Sequence, residues 1–125
     1  MAVLAGAGCA PTPTTPSSPT ATTTAFASRL SIGGADWKSF NQTTTSLVTA
    51  RLAIVSPNGD AVVRIGFGTF DGTTCTSTMT VDTAANDDTP QLSTLMSPGR
   101  YCVMIWDIGN LTGVNDFAIF LVQQP

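Results

Sequence analysis

The chain reads as an all-β protein, an antiparallel two-sheet β-sandwich of jelly-roll type with about eight strands. Three observations point there. Short apolar–polar alternations recur along residues 25–125, each closed by Gly, Pro, Asn or Asp. Thr, Ser, Gly and Asn are abundant while Glu is absent, a balance that favours strands and turns over helices. No stretch carries the periodicity of an amphipathic helix.

The elements follow in order. Residues 25–32 form a first strand, closed by Gly33-Gly34, and residues 36–41 a short second one. In the third, 46–56, Val48, Ala50, Leu52 and Ile54 face one side and Thr49 and Arg51 the other. Pro57-Asn58-Gly59-Asp60 is a turn, because Pro fixes φ and Asn-Gly tolerates positive φ. The fourth strand, 61–70, alternates Ala61, Val63, Ile65 and Phe67 with Arg64, Gly66 and Gly68. Asp71-Gly72 turns the chain into a fifth, 74–82, where Thr74, Thr76, Thr78 and Thr80 oppose Cys75, Met79 and Val81. A polar loop, 83–89, leads to a short strand, 91–96, and Pro98-Gly99 turns into 100–108. A final turn, 109–113, precedes the last strand, 115–123.

The last two strands are apolar on both faces. Tyr101, Val103 and Ile105 oppose Cys102, Met104, Trp106 and Ile108, and Phe117, Ile119 and Leu121 oppose Ala118, Phe120 and Val122. A sandwich strand is ordinarily polar outside. These two are therefore expected at sheet centres, with an outer face that is either covered or adhesive. Met104, Trp106 and Phe120 are the candidate interaction surface.

At 125 residues, 42% hydrophobic and 10% charged, the chain suits one small domain with a real core. Its five basic residues are scattered and its net charge is -3, which excludes nucleic acid as a partner. The absence of His removes every Ser-His and Cys-His nucleophile pair and every His-ligated zinc site. Asp82-Thr83-Ala84 lacks the Gly of an Asp-Thr-Gly protease motif, and Asp87-Asp88 reads as a solvated loop rather than a pair of positioned acids. No enzyme activity and no cofactor are expected. Calcium is the one metal whose oxygen ligands the sequence clusters, at Asp82, Asn86, Asp87 and Asp88, without EF-hand spacing. Trp37, Trp106 and Tyr101 are the aromatics that could stack on a glycan.

Residues 1–8, MAVLAGAG, are small and apolar and end at Cys9. They read as the tail of a signal peptide whose basic start is missing. The run resembles the lipobox of bacterial lipoproteins, with the expected Leu displaced to Leu4. That resemblance implies a diacylglycerol thioether on Cys9, which would hold the protein at a membrane. Residues 10–24, APTPTTPSSPTATTT, form a Pro/Thr/Ser tether, and residues 25–125 the sandwich. With Cys9 lipidated, Cys75 and Cys102 remain as an even pair in an oxidising compartment and are expected to form a cross-strand disulfide.

Ser31-Ile32-Gly33-Gly34-Ala35-Asp36-Trp37-Lys38-Ser39-Phe40 resembles the Gly-x-x-Asp-aromatic-x-x-Phe segment of bacterial pre-peptidase C-terminal domains. Ser97-Pro98-Gly99-Arg100-Tyr101-Cys102-Val103 is similar to their Gly-x-Tyr turn, and residues 117–122 to their closing strand. The resemblance implies a jelly-roll-like sandwich appended to exported proteins, sometimes with calcium. The sequence as a whole is read as a non-enzymatic, lipid-anchored interaction or structural module of the bacterial cell surface. Its partner would be a protein or another copy of itself; the alternative is a carbohydrate-binding module that takes a glycan.

Overall fold

The computed structural model describes residues 20–125, and all regular structure within them is strand. In chain order the strands are β1 (Thr22–Leu30), β2 (Ala35–Gln42), β3 (Ser46–Ser56), β4 (Val63–Phe70), β5 (Cys75–Thr83), β6 (Leu92–Met96), β7 (Gly99–Trp106) and β8 (Asn115–Gln123). β3 and β8 have the bounds set by alternation, and the others shift by a few residues. The largest shift is at β1. Thr22, Thr23 and Thr24, read from composition as tether, pair with Gln123, Val122 and Leu121. β-branched Thr suits an extended ladder once a neighbouring strand supplies the hydrogen bonds.

One sheet has the order β1-β8-β3-β6 and the other β2-β7-β4-β5. The pairs β1·β8, β2·β7, β3·β6 and β4·β5 are all antiparallel. The chain is thus one long hairpin with its hinge between β4 and β5, wound so that successive pairs alternate between sheets. Contacts β3·β8 and β4·β7 complete each sheet. This winding is the jelly roll. β7 and β8 lie inside their sheets, where two-sided apolar strands belong. Because Thr22 pairs with Gln123, both ends of the domain leave from one end of the sandwich, with the β2–β3, β4–β5 and β6–β7 turns. The longer β3–β4, β5–β6 and β7–β8 loops crowd the far end.

Phe26, Leu30, Val48, Leu52, Ile65, Phe67, Val103, Ile105, Phe117, Ile119 and Leu121 fill the space between the sheets. Phe26 and Phe117 meet edge to face, 5.0 Å between centroids. Each such side chain contributes about 1.5–3 kcal/mol by leaving water.

Two β-bulges change which side chains point inward. In β3 the register with β8 slips between Leu52 and Ile54, so Val55 turns to the core and Ile54 to the outside, 49% exposed. In β5 the register with β4 slips opposite Phe67 and Gly68, with Met79 facing Phe67 and Ser77 facing Gly68. Thr78 is the extra residue. Met79 and Val81 pack on the core, while Cys75 lies across from Phe70 on the outer face. The sequence expectation that Ile54 shares a face with Leu52, and Cys75 with Met79, fails because an inserted residue reverses a period of two.

Side chains take over where ladders stop. Beyond β6, the Gln91 amide accepts from Leu52 N at 2.9 Å and donates to Leu52 O at 3.1 Å, replacing a missing strand partner. Buried Asn115 accepts from Asn58 N at 2.7 Å and donates to Gly113 O at 3.0 Å. Asp107, buried at the far end, gathers four backbone N–H groups. Oδ2 accepts from Gly33 at 2.7 Å, and Oδ1 from Gly109, Asn110 and Leu111 at 2.9, 3.0 and 3.2 Å. Gly33 has φ 68°, a left-handed conformation that lets its N–H face the carboxylate.

The Gly33 hydrogen bond, with those of the loop amides, holds the Asp107 carboxyl below the usual carboxylate range. Its stabilisation is therefore complete above the unfolded pKa of about 3.9 and is lost as pH falls through the lower folded value. Replacing Asp107 by Ala leaves four amides without their acceptor. It should cost roughly 2 kcal/mol at neutral pH and flatten the acid limb of the stability–pH profile. Calorimetric melts from pH 7 to pH 2 check both; an unchanged acid limb would refute the role given to this carboxylate.

Candidate interaction surface

The sequence singles out Met104, Trp106 and Phe120, and the fold separates them. Val103 and Ile105 point into the core, so Met104 and Trp106 lie on the outer face of the β2-β7-β4-β5 sheet. Phe120 alternates with buried Ile119 and Leu121 and lies on the outer face of the other sheet. The three residues occupy opposite sides of the sandwich and form no single surface. Alternation along a strand reports inside and outside; it carries no information on which sheet the strand joins.

On the β7 side the apolar residues cover one another. Met104 lies across from Trp37 and Gly66, and only 9% of it is exposed. Trp106 lies across from Arg64 and is half-buried, its ring resting over Gly66. A methyl group on Gly66 would sit 3.2 Å from Trp106 Cζ3 and 2.7 Å from the Met79 carbonyl oxygen. Trp37, 39% exposed, meets Phe70 with centroids 5.2 Å apart. The Arg100 guanidinium stacks on the Phe70 ring, 5.2 Å from its centroid. Next along the face runs the Cys75–Cys102 disulfide, with Cα atoms 6.0 Å apart. It joins β5 to β7 over the intervening β4, where Gly68 faces Cys102. A methyl group there would lie 3.1 Å from Cys102 Sγ and would collide with the Thr76 carbonyl. The pair of glycines in β4 thus makes room for a Trp ring and for a disulfide.

At the rim of this face Arg64 grips Asp82 through two hydrogen bonds, 2.7 and 3.1 Å. That pairing keeps Asp82 below the usual carboxylate range and commits it to a cation already present. Of the other calcium candidates, Asn86 Oδ1 accepts from the N–H groups of Asp88 and Thr89 at 2.9 and 3.2 Å. Asp87 and Asp88 point to solvent. Among the described residues, no three acidic or Cys side chains converge as a metal ligand set.

The opposite outer face is more open. Leu47 and Leu95 lie across from each other and are 42% and 68% exposed, and Ile54 stands beyond them. Arg51 stacks over the Phe120 ring at 5.2 Å and donates to the Asn86 carbonyl at 2.9 Å. Thr23, Thr49, Arg51, Pro90, Phe120 and Val122 line a shallow groove of about 370 Å³ there. Sequence reading missed this patch. Leu47 and Leu95 are single exposed aliphatics on different strands, and only the β3·β6 register brings them together. Cys9 lies outside the described residues.

Neither a family model nor a curated protein matches the chain. A solved structure from Bacillus endospore appendages, which form a family of disulfide-linked pili, aligns with 90% of this chain and 96% of its own. The two are 12% identical, with a TM-score of 0.38.

Proposed function

We propose that this protein is an exported, non-catalytic interaction or structural module of the bacterial cell surface, held at the membrane by lipid on Cys9. The observation that carries the reading is the Cys75–Cys102 disulfide. Such a bond persists in oxidising compartments. It also accounts for two of the three cysteines, leaving Cys9, at the end of the small apolar run, for the lipid. The resemblance to pre-peptidase C-terminal domains agrees, since those are sandwiches on exported proteins. The module needs no metal, and chelator should leave its melting temperature unchanged.

The test is expression in a bacterial host with a complete signal restored upstream. The expected product sediments with membranes and carries on Cys9 the mass of a diacylglycerol group. Cys9→Ser should move it to the soluble fraction. Recovery of the wild-type chain as soluble protein with residues 1–8 retained would refute the anchor.

The exposed Trp37 ring beside Phe70 favours a second reading, glycan binding by stacking on this face. Trp37→Ala would abolish retention on an immobilised polysaccharide under that reading. Under the first reading the wild-type chain is not retained.

A further inference from the structure

Four strands end the two sheets: β1 and β6 in one, β2 and β5 in the other. An edge strand offers a row of N–H and C=O groups to any incoming strand. Proteins blunt such edges with short length, charge, proline or a bulge. Three of these edges are blunted. β6 has five residues and lies between Pro90 and Pro98. β2 carries Asp36 and Lys38. Asp36 Oδ1 accepts the Trp37 N–H at 2.8 Å, and Gln123 Nε2 donates to the Asn41 carbonyl at 2.8 Å. β5 is interrupted by its bulge and carries Asp82. β1 is blunted only at its far end, by Arg29. Its nine residues run in unbroken register with β8, and no charge or proline occurs from Thr22 to Ser28. Among the described residues, no side chain hydrogen-bonds to its backbone.

We infer that β1 is a docking edge for β1 of a second copy of this chain. The two would run antiparallel across a two-fold axis and join two four-stranded sheets into one continuous sheet. The inference deepens the interaction-module reading and rests on it. Sequence complementarity selects the second copy. With the axis at Phe26, Ala25 faces Ala27 of the other copy, Thr24 faces Ser28 and Thr23 faces Arg29. Small and hydroxylated residues oppose one another, as close strand approach requires. The only charge, Arg29, meets no like charge, because the two copies of it lie at opposite ends of the ladder. Each is also paired with Asp116 of its own β8 at 3.4 Å. An isologous contact of this kind closes on itself as a dimer.

The test uses the full chain in sedimentation equilibrium over a range of concentrations, with hydrogen exchange read strand by strand. Wild-type protein should dimerise, and β1 amides should slow as the dimer forms. Ala25→Lys with Ala27→Lys places like charges across the junction at two exposed positions. It should raise the dimer dissociation constant about 100-fold while leaving unchanged the melting temperature measured at concentrations where both proteins are monomeric. Ser28→Lys, also exposed, should raise it about tenfold and serves if the double variant fails to fold. A wild-type chain that stays monomeric, a double variant that dimerises as wild type does, or protection on another edge would overturn the inference. None of these outcomes touches export and anchoring, which membrane fractionation tests separately.

Discussion

Replacing Cys75 and Cys102 together by Ala should lower the unfolding free energy by about 3.6 kcal/mol. That is the loop-entropy value for a bridge spanning a sequence separation of 27. For a domain of this size it corresponds to a fall in melting temperature of about 15–25 °C. The effect is specific in its location. β5 is an edge strand whose ladder to β4 is already interrupted by the bulge, and the bridge fastens it to β7 across β4. Loss of the bridge should therefore speed hydrogen exchange first in β5 and only later in β3 and β8. Reducing agent should reproduce the loss in wild-type protein and have no further effect on the double variant. A double variant as stable as wild type would show that the bridge fastens nothing the ladders do not already hold.

Gly68→Ala should be nearly as damaging, for a steric reason. The added methyl group meets the Thr76 carbonyl carbon at 2.8 Å and Cys102 Sγ at 3.1 Å, and only a shift of backbone or disulfide can relieve it. Crowding of that kind costs about 1–3 kcal/mol, and backbone contact places this site at the upper end. The two predictions are coupled. In the Cys75→Ala/Cys102→Ala background the sulfur is gone and the Thr76 contact remains. Gly68→Ala should therefore cost about 1 kcal/mol less there than in wild-type protein. Denaturant melts of the four proteins close the cycle. Equal costs in both backgrounds would assign the crowding to Thr76 alone.

Much of this architecture is legible in the sequence because alternation and turn chemistry are local. Val63, Ile65 and Phe67 announce a core face, and Pro57-Asn58-Gly59 announces the turn before it. The apolar faces of β7 and β8 announce strands with neighbours on both sides, which both have. The disulfide partners follow from their positions in strands and from the cysteine count. What escapes reading is non-local. Thr78 in β5 has no feature that marks it as a bulge, yet it decides that Cys75 reaches Cys102 from the outer face while Met79 packs inside. The slip after Leu52 turns Ile54 outward in the same way. Phe120 and Trp106 look equivalent along the chain and end on opposite sides of the sandwich because the jelly-roll winding sends β7 and β8 to different sheets. The unguarded edge at β1 emerges only when all four edges are compared, since an uncharged Thr/Ala run is unremarkable until its place in the sheet is known.

The pairing of Thr22 with Gln123 has a mechanical consequence. Hydrogen bonds between antiparallel strands lie perpendicular to the strands. A pull that separates the two termini opens the β1·β8 ladder from its end, breaking one rung after another at low force. A pull between residue 22 and the far-end loops runs along β1 instead. It loads all nine register pairs in shear at the same moment. The same domain is thus weak when drawn apart by its ends and strong when tension runs from residue 22 to the distal loops.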